Sequence, residues 1–149
     1  MLLQQGAGTT ALGGDGGDKG YAGIRNSLAI EFDTYENYAG MEDPNGNHIS
    51  IHTRGSFPNS AHHRFSLACA TNLPCKLNDG RAHCAEIVFE AATSELFVVL
   101  DSVLVIKTKL NIQERLQANS STCWIGFTAG TGGLTQEHRI LSFSLHNKL

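Results

Sequence analysis

Along the chain, apolar residues pass from scarce to strictly alternating. Residues 6–23 hold Gly6, Gly8, Gly13, Gly14, Gly16, Gly17, Gly20 and Gly23, with Asp15 and Asp18 between them. That is the composition of a glycine-rich loop with almost nothing to build a core. It reads either as a flexible linker or as a compact loop whose amides face a ligand. Leu28, Ile30 and Phe32 then alternate with Ala29, Glu31 and Asp33, the period of a half-buried strand. Residues 48–53 alternate again, and 65–70, 82–90, 96–100, 103–108, 123–129 and 139–145 are further predicted strands. Turn residues separate them at Asp43-Pro44-Asn45-Gly46-Asn47, at Asn78-Asp79-Gly80 and across 91–94. Only Ile112–Leu116 has a helical pattern, for about one turn. Many short strands between turns predict one all-β domain over 1–149, a sandwich or a barrel.

Charge and composition remove several function classes. Eleven Lys and Arg stand against 14 Asp and Glu, net −3, and no basic cluster exists to neutralise a phosphate backbone, so nucleic acid is not an expected partner. The 41% hydrophobic content excludes a disordered chain. The longest apolar stretch, 96–106, is cut by Asp101 and Ser102 and falls short of the roughly 20 residues of a membrane span. Cys69, Cys75, Cys84 and Cys123 form no C-x-x-C pair, which removes zinc-ribbon and thioredoxin spacings and leaves disulfides and free thiols both open. Asn119-Ser120-Ser121 is a glycosylation sequon, relevant only in a secreted protein. Met1-Leu2-Leu3-Gln4-Gln5 shows no signal-peptide pattern; secretion would require a signal peptide upstream of Met1.

The informative chemistry lies in Glu31-Phe32-Asp33-Thr34-Tyr35-Glu36-Asn37, followed by Asp43 and His48. On a strand, Glu31 and Asp33 share a face with the start of the next loop at Tyr35. Two acids about 7 Å apart repel unless something positive lies between them. Asn37, Asp43 and His48 add ligand types: oxygen donors suit Ca²⁺, and one imidazole suits Mn²⁺ or Zn²⁺. A solvated acidic face and a surface histidine are the plainer readings, and spacing alone does not choose. An EF-hand is excluded, because the loop glycine is at position four and Arg54 stands at position twelve.

Ser27-Leu28-Ala29-Ile30-Glu31-Phe32-Asp33-Thr34-Tyr35-Glu36-Asn37, then Asp43-Pro44 and His48-Ile49-Ser50-Ile51, resembles the metal-binding signature of the legume-type (L-type) lectins. Trp124-Ile125-Gly126-Phe127-Thr128-Ala129-Gly130-Thr131-Gly132-Gly133, with residues 138–144 after it, is similar to that family's closing strand–loop–strand. Asn78-Asp79-Gly80-Arg81-Ala82-His83 and residues 96–101 fit its middle. The resemblance covers nearly the whole chain. It implies an antiparallel two-sheet jelly-roll sandwich, concanavalin A-like, with Ca²⁺ and a transition ion such as Mn²⁺ side by side. Glu31, Asp33, Asp43 and His48 would hold the transition ion; Asp33, Asp43, Asn37 and the Tyr35 carbonyl would hold calcium. Asn37 would also bind a sugar hydroxyl, the Tyr35 ring would stack on the sugar, and the Gly17 amide would meet another hydroxyl. Gly132, Gly133 and Leu134 would tune which monosaccharide fits.

The implied partners are mono- or oligosaccharides and glycoproteins, with the metals structural and no catalytic residue. The family's first strands and an upstream sugar-binding aspartate loop would precede Met1. The resemblance therefore implies a domain truncated at its N-terminus, with weakened sugar binding and unpaired sheet edges that favour homo-oligomers. Two alternatives stand beside it. A related jelly-roll glycoside hydrolase carries Glu-x-Asp-x-(x)-Glu on one strand, but Tyr35 takes the third place and Glu36 faces the other way. A structural or partner-binding jelly roll would keep the metals and lack the sugar site.

Overall fold

The computed structural model describes residues 2–5 (backbone only), 8–117 and 123–146. Gly6 of the glycine run and the Asn119-Ser120-Ser121 sequon lie outside the described residues. Eight strands are present among those described: β1 Leu2–Gln5, β2 Ser27–Asp33, β3 His48–His52, β4 Ser66–Ala70, β5 Ala85–Glu90, β6 Glu95–Leu100, β7 Val103–Lys109 and β8 Trp124–Phe127. They make two antiparallel sheets, one ordered β4-β3-β2-β1-β8 and the other β5-β6-β7. This is the mostly-β, two-sheet arrangement of a jelly-roll sandwich.

Local chemistry explains most boundaries. The β6–β7 hairpin turns through Asp101 and Ser102, both at positive φ (48° and 68°), the conformation of a tight two-residue turn that matches strand twist. The predicted helix α1, Ile112–Leu116, begins where the Asn111 side chain accepts from Glu114 N and ends at Gln117 in the left-handed region. Leu116 is buried, and its carbonyl accepts from Asn26 Nδ2 at 2.7 Å. The helix thereby closes one end of the core. Leu28, Ile30, Ile49 and Ile51 from the larger sheet meet Leu96, Val98, Leu100 and Ile106 from the smaller. Each such side chain, fully buried, contributes roughly 1.5–3 kcal/mol.

Three expectations change. No element was expected at residues 2–5, yet β1 pairs with both β2 and β8 inside the five-stranded sheet. The predicted strand 139–145 is not a strand: residues 135–146 have no regular structure, and Ile140, Leu141, Phe143 and Leu145 are all more than half exposed. Its alternation suits a strand, but no neighbouring strand among the described residues completes a ladder; Phe143 instead sets its ring edge-on against Phe127 at 5.3 Å. Third, β2 is covered on both faces. Leu28 and Ile30 point into the main core, while Ala29 packs under Tyr21, Ile24 and Ala61. Tyr21 belongs to the glycine run, so that segment does contribute core.

Leu100 is 1% exposed and Val103 is 47% exposed. Leu100→Ala should therefore lower unfolding free energy by about 2–5 kcal/mol, whereas Val103→Ala should stay within about 0.5 kcal/mol of the parent. Urea unfolding followed by circular dichroism checks both.

Candidate functional site

The glycine run folds into a closed loop. Gly13 N donates to Gly20 O, Gly14 N to Ala22 O and Gly20 N to Gly14 O, at 2.8–3.0 Å, around a short 3₁₀ turn at Gly16–Asp18. Residues 128–132 lie against it. Thr128 Oγ1 donates to Lys19 O at 2.9 Å, and a Cβ on Gly130 would stand 2.5 Å from Gly16 O. Only glycine permits that approach. The loop brings Lys19 and Tyr21 down over the second face of β2.

Under it lies an acidic cluster set by strand register. Glu31 and Asp33 share a face of β2, and His48 on β3 pairs directly across from Asp33, so the three side chains project together. Glu31, Asp33 and His48 are 1%, 2% and 0% exposed, and one ligand atom from each lies within 4.8 Å of the others. Tyr21 donates its hydroxyl to Glu31 Oε2 at 2.6 Å. Lys19 Nζ is 2.9 Å from Asp33 Oδ2 and 3.6 Å from Glu31 Oε1. His48 Nδ1 meets the Asn45 carbonyl at 2.8 Å; a carbonyl only accepts, so Nδ1 carries a proton and Nε2 is the nitrogen turned toward the acids. Nε2 lies 3.8 Å from Glu31 Oε1 and 3.9 Å from Asp33 Oδ2.

Glu31 Oε1, Asp33 Oδ2, Asp43 Oδ1 and His48 Nε2 are buried without a hydrogen-bond partner, although Asp33 Oδ2 has the Lys19 ion pair. Buried polar atoms without partners are costly. Carboxylates with one imidazole nitrogen are the set a transition ion takes, so these residues fit such an ion on their chemistry. Burial pushes Glu31 up to about 7, against Lys19 and the Tyr21 hydroxyl, which both favour its ionised form. Burial works against the Lys19 charge, but Glu31 and Asp33 outweigh it and hold the ammonium above its usual range. Burial also raises the Asp43 carboxyl.

The next loop hangs from the same acids. Tyr35 N donates to Asp33 Oδ1 and Asn37 N to Asp43 Oδ2, both at 2.9 Å. The Tyr35 ring is 49% exposed. A Cβ on Gly17 would stand 3.8 Å from Asn37 Cγ, and one on Gly132 3.8 Å from Gly16 Cα. Gly17, Asn37 and Gly132 therefore converge from three separate loops. Gly133 borders open space and Leu134 is an exposed apolar side chain at the rim. Thr34 Oγ1 donates to Gln136 Oε1 at 2.5 Å, tying that rim to the acidic strand.

Sequence reasoning missed four neighbours of the site. Lys19 and Tyr21 were hidden in the glycine run. His63 stacks edge-on against His48 at 6.0 Å, and Cys69, opposite Ser50 on β4, forms a further close group with His48 and His63. The His62-His63 pair was a visible signal, but nothing local placed it here. All four cysteines are free thiols.

The family model for the legume lectin domain matches residues 19–148. A similar curated protein is the L-type lectin-domain containing receptor kinase VII.1 of Arabidopsis thaliana, 28% identical over 132 residues. That match covers 80% of this chain and 18% of the kinase, so the chain spans less than a fifth of the relative's length.

Glu31 carries a pH prediction. Between 4.5 and about 7 the folded, metal-free protein keeps a proton that the unfolded chain has lost. This contribution to stability is full below 4.5 and is lost as pH rises through about 7. In EDTA-treated protein, Glu31→Gln should remove that decline, read as the difference between the two melting-temperature profiles across this range.

Proposed function

This chain belongs to the legume lectin domain family, and from that premise we propose that it binds carbohydrate through loops held in place by structural cations. The observation that carries the reading is the convergence of Glu31, Asp33 and His48 within 4.8 Å, with buried, unpartnered polar atoms on these three and on Asp43. Those four would hold a transition ion, Mn²⁺ by the family likeness; Asp33, Asp43, Asn37 and the Tyr35 carbonyl would hold Ca²⁺. Bound there, the cations supply positive charge that fixes the acidic strand to the loop after it.

The chain's own residues then do the recognition. The backbone bonds from Tyr35 and Asn37 to Asp33 and Asp43 hold an aromatic face and an amide in place before ligand arrives, which lowers the ordering cost of binding. A sugar is neutral and amphipathic, so an exposed ring beside rigid donors suits it better than net charge does. Tyr35 provides the ring and Asn37 the side-chain amide. Gly17, Gly132, Gly133 and Leu134 form the surrounding rim. Glu31 and Asp33 lie beneath Lys19 and Tyr21, at 1% and 2% exposure, which supports a structural use over glycoside hydrolysis. The exposed apolar side chains of residues 140–145 support association between copies.

Lys19 adds a competition for the acids. Its ammonium already sits against Asp33 and Glu31, so a metal ion must displace it or share the acids with it. Lys19→Met should bind Mn²⁺ more tightly by calorimetry, and should melt lower than the parent when both are metal-free. The lost stability is of the order of 3 kcal/mol, as expected when a buried ion pair loses one partner.

Two further measurements test the reading. Elemental analysis after metal loading and dialysis should find a transition ion and calcium in the parent and neither in Asp33→Ala, whose melting temperature should no longer respond to EDTA. A glycan array with Ca²⁺ and Mn²⁺ should show sugar binding that EDTA, Tyr35→Ala and Asn37→Ala each remove. Metal-dependent melting without binding to any glycan would overturn the sugar reading and leave a structural module.

A further inference from the structure

A second mixed cluster lies outside the acidic site. Cys75 and His83 belong to the long connection between β4 and β5, and Asp101 sits at the β6–β7 turn. A sulfur, a nitrogen and an oxygen atom from these residues lie within 4.8 Å of one another. We propose that Cys75, His83 and Asp101 form a zinc site that clips the β4–β5 connection to the β6–β7 turn. This does not depend on the lectin reading or on the cations proposed there.

Each donor is oriented from behind. His83 Nε2 is 3.0 Å from Asp79 Oδ1; a carboxylate accepts, so this nitrogen carries a proton, as in the carboxylate–histidine pairs behind metal ligands. Asp79 is itself fixed by the Arg81 N–H at 2.9 Å. Asp101 Oδ1 accepts from Cys84 N at 2.8 Å, which leaves Oδ2 to the cluster. The Cys75 segment is held by Asn47, whose Nδ2 donates to Cys75 O and whose Oδ1 accepts from Leu77 N. His83 Nδ1 then faces Asp101 Oδ2 at 2.7 Å and Cys75 Sγ at 3.5 Å.

With Nε2 protonated, the Nδ1–Oδ2 approach needs either a second proton or a cation between the two acceptors. The Cys75 thiol also hydrogen-bonds the Asp101 carboxylate, so without metal all three groups already converge on one point. A tetrahedral zinc at that point sets its sulfur–nitrogen edge at about 3.6 Å and its nitrogen–oxygen edge at about 3.3 Å. The first is met by the observed 3.5 Å; the second needs the Asp101 carboxylate to open slightly. A sulfur, imidazole and carboxylate set suits zinc better than calcium or magnesium. Solvent completes the coordination, because the cluster is at the surface.

The test titrates the full chain, saturated with Mn²⁺ and Ca²⁺, with Co²⁺ as a spectroscopic stand-in for zinc. A thiolate-to-cobalt charge-transfer band should grow to saturation at one ion per chain and vanish when Zn²⁺ is added. Cys75→Ser should lose the band and Cys69→Ser should keep it, which separates this cluster from the one at His48. Asp79→Asn, which leaves all three ligands in place, should weaken cobalt binding about tenfold, and Asp101→Asn by at least as much, with far-ultraviolet circular dichroism unchanged. No band in the parent, a band that survives Cys75→Ser, or unaltered affinity in both aspartate variants would each overturn the proposal and leave a protonated histidine clamped between two aspartates.

Discussion

Negative charge buried beneath a loop is the constraint on which the rest of this structure depends. Glu31 and Asp33 cannot change faces, because a one-residue slip of β2 would carry them into the apolar core between the sheets and take Leu28 and Ile30 out of it. They cannot stay buried without positive charge or hydrogen-bond donors close by. The chain answers with Tyr21, which donates to Glu31, and Lys19, which pairs with Asp33. His48 Nε2 points into the same place without a hydrogen-bond partner. The cluster therefore leaves buried polar atoms that its protein partners do not satisfy, and the proposed cation would answer them.

The glycine run follows from the same constraint. Lys19 reaches the acids only if residues 13–22 fold back on themselves and let residues 128–132 come into backbone contact. Lys19 sits at positive φ (53°), and a side chain at Gly130 would strike Gly16 O. A segment that is poor in side chains thus becomes the lid of a buried site. Its outer edge, at Gly17, lies beside Asn37. The loop edges at Gly17 and Asn37 and the residues that neutralise the acids are parts of one structure, so under the proposed function cation occupancy would be linked to the shape of the sugar-binding surface.

Family membership and geometry support each other at different scales. The family match fixes the class of the domain, while the distances say which atoms are short of partners. The Cys75–His83–Asp101 cluster belongs to neither line of argument. It joins a long connection to the tight turn of the smaller sheet, away from the acidic strand, and its sulfur donor sets it apart chemically from an oxygen-rich site.

Much of this was legible in the chain. Alternation located β2 to β8 to within a few residues, Asn111 and the pattern after it marked α1, and the β2–β3 segment supplied Glu31, Asp33, Asp43 and His48 as candidates together with Tyr35 and Asn37. These features are local: strand period, cap chemistry and spacing along one hairpin determine them. Lys19, Tyr21, His63 and Cys69 were not legible as site residues, because contacts across loops and strands far apart in sequence place them. Residues 139–145 show the same limit in reverse, since alternation makes a segment fit for a strand but only a neighbour with free backbone groups makes it one. Sequence alone determined which residues face which side of a strand; the tertiary structure decided what covers each side, because burial and charge pairing depend on what the rest of the chain brings near.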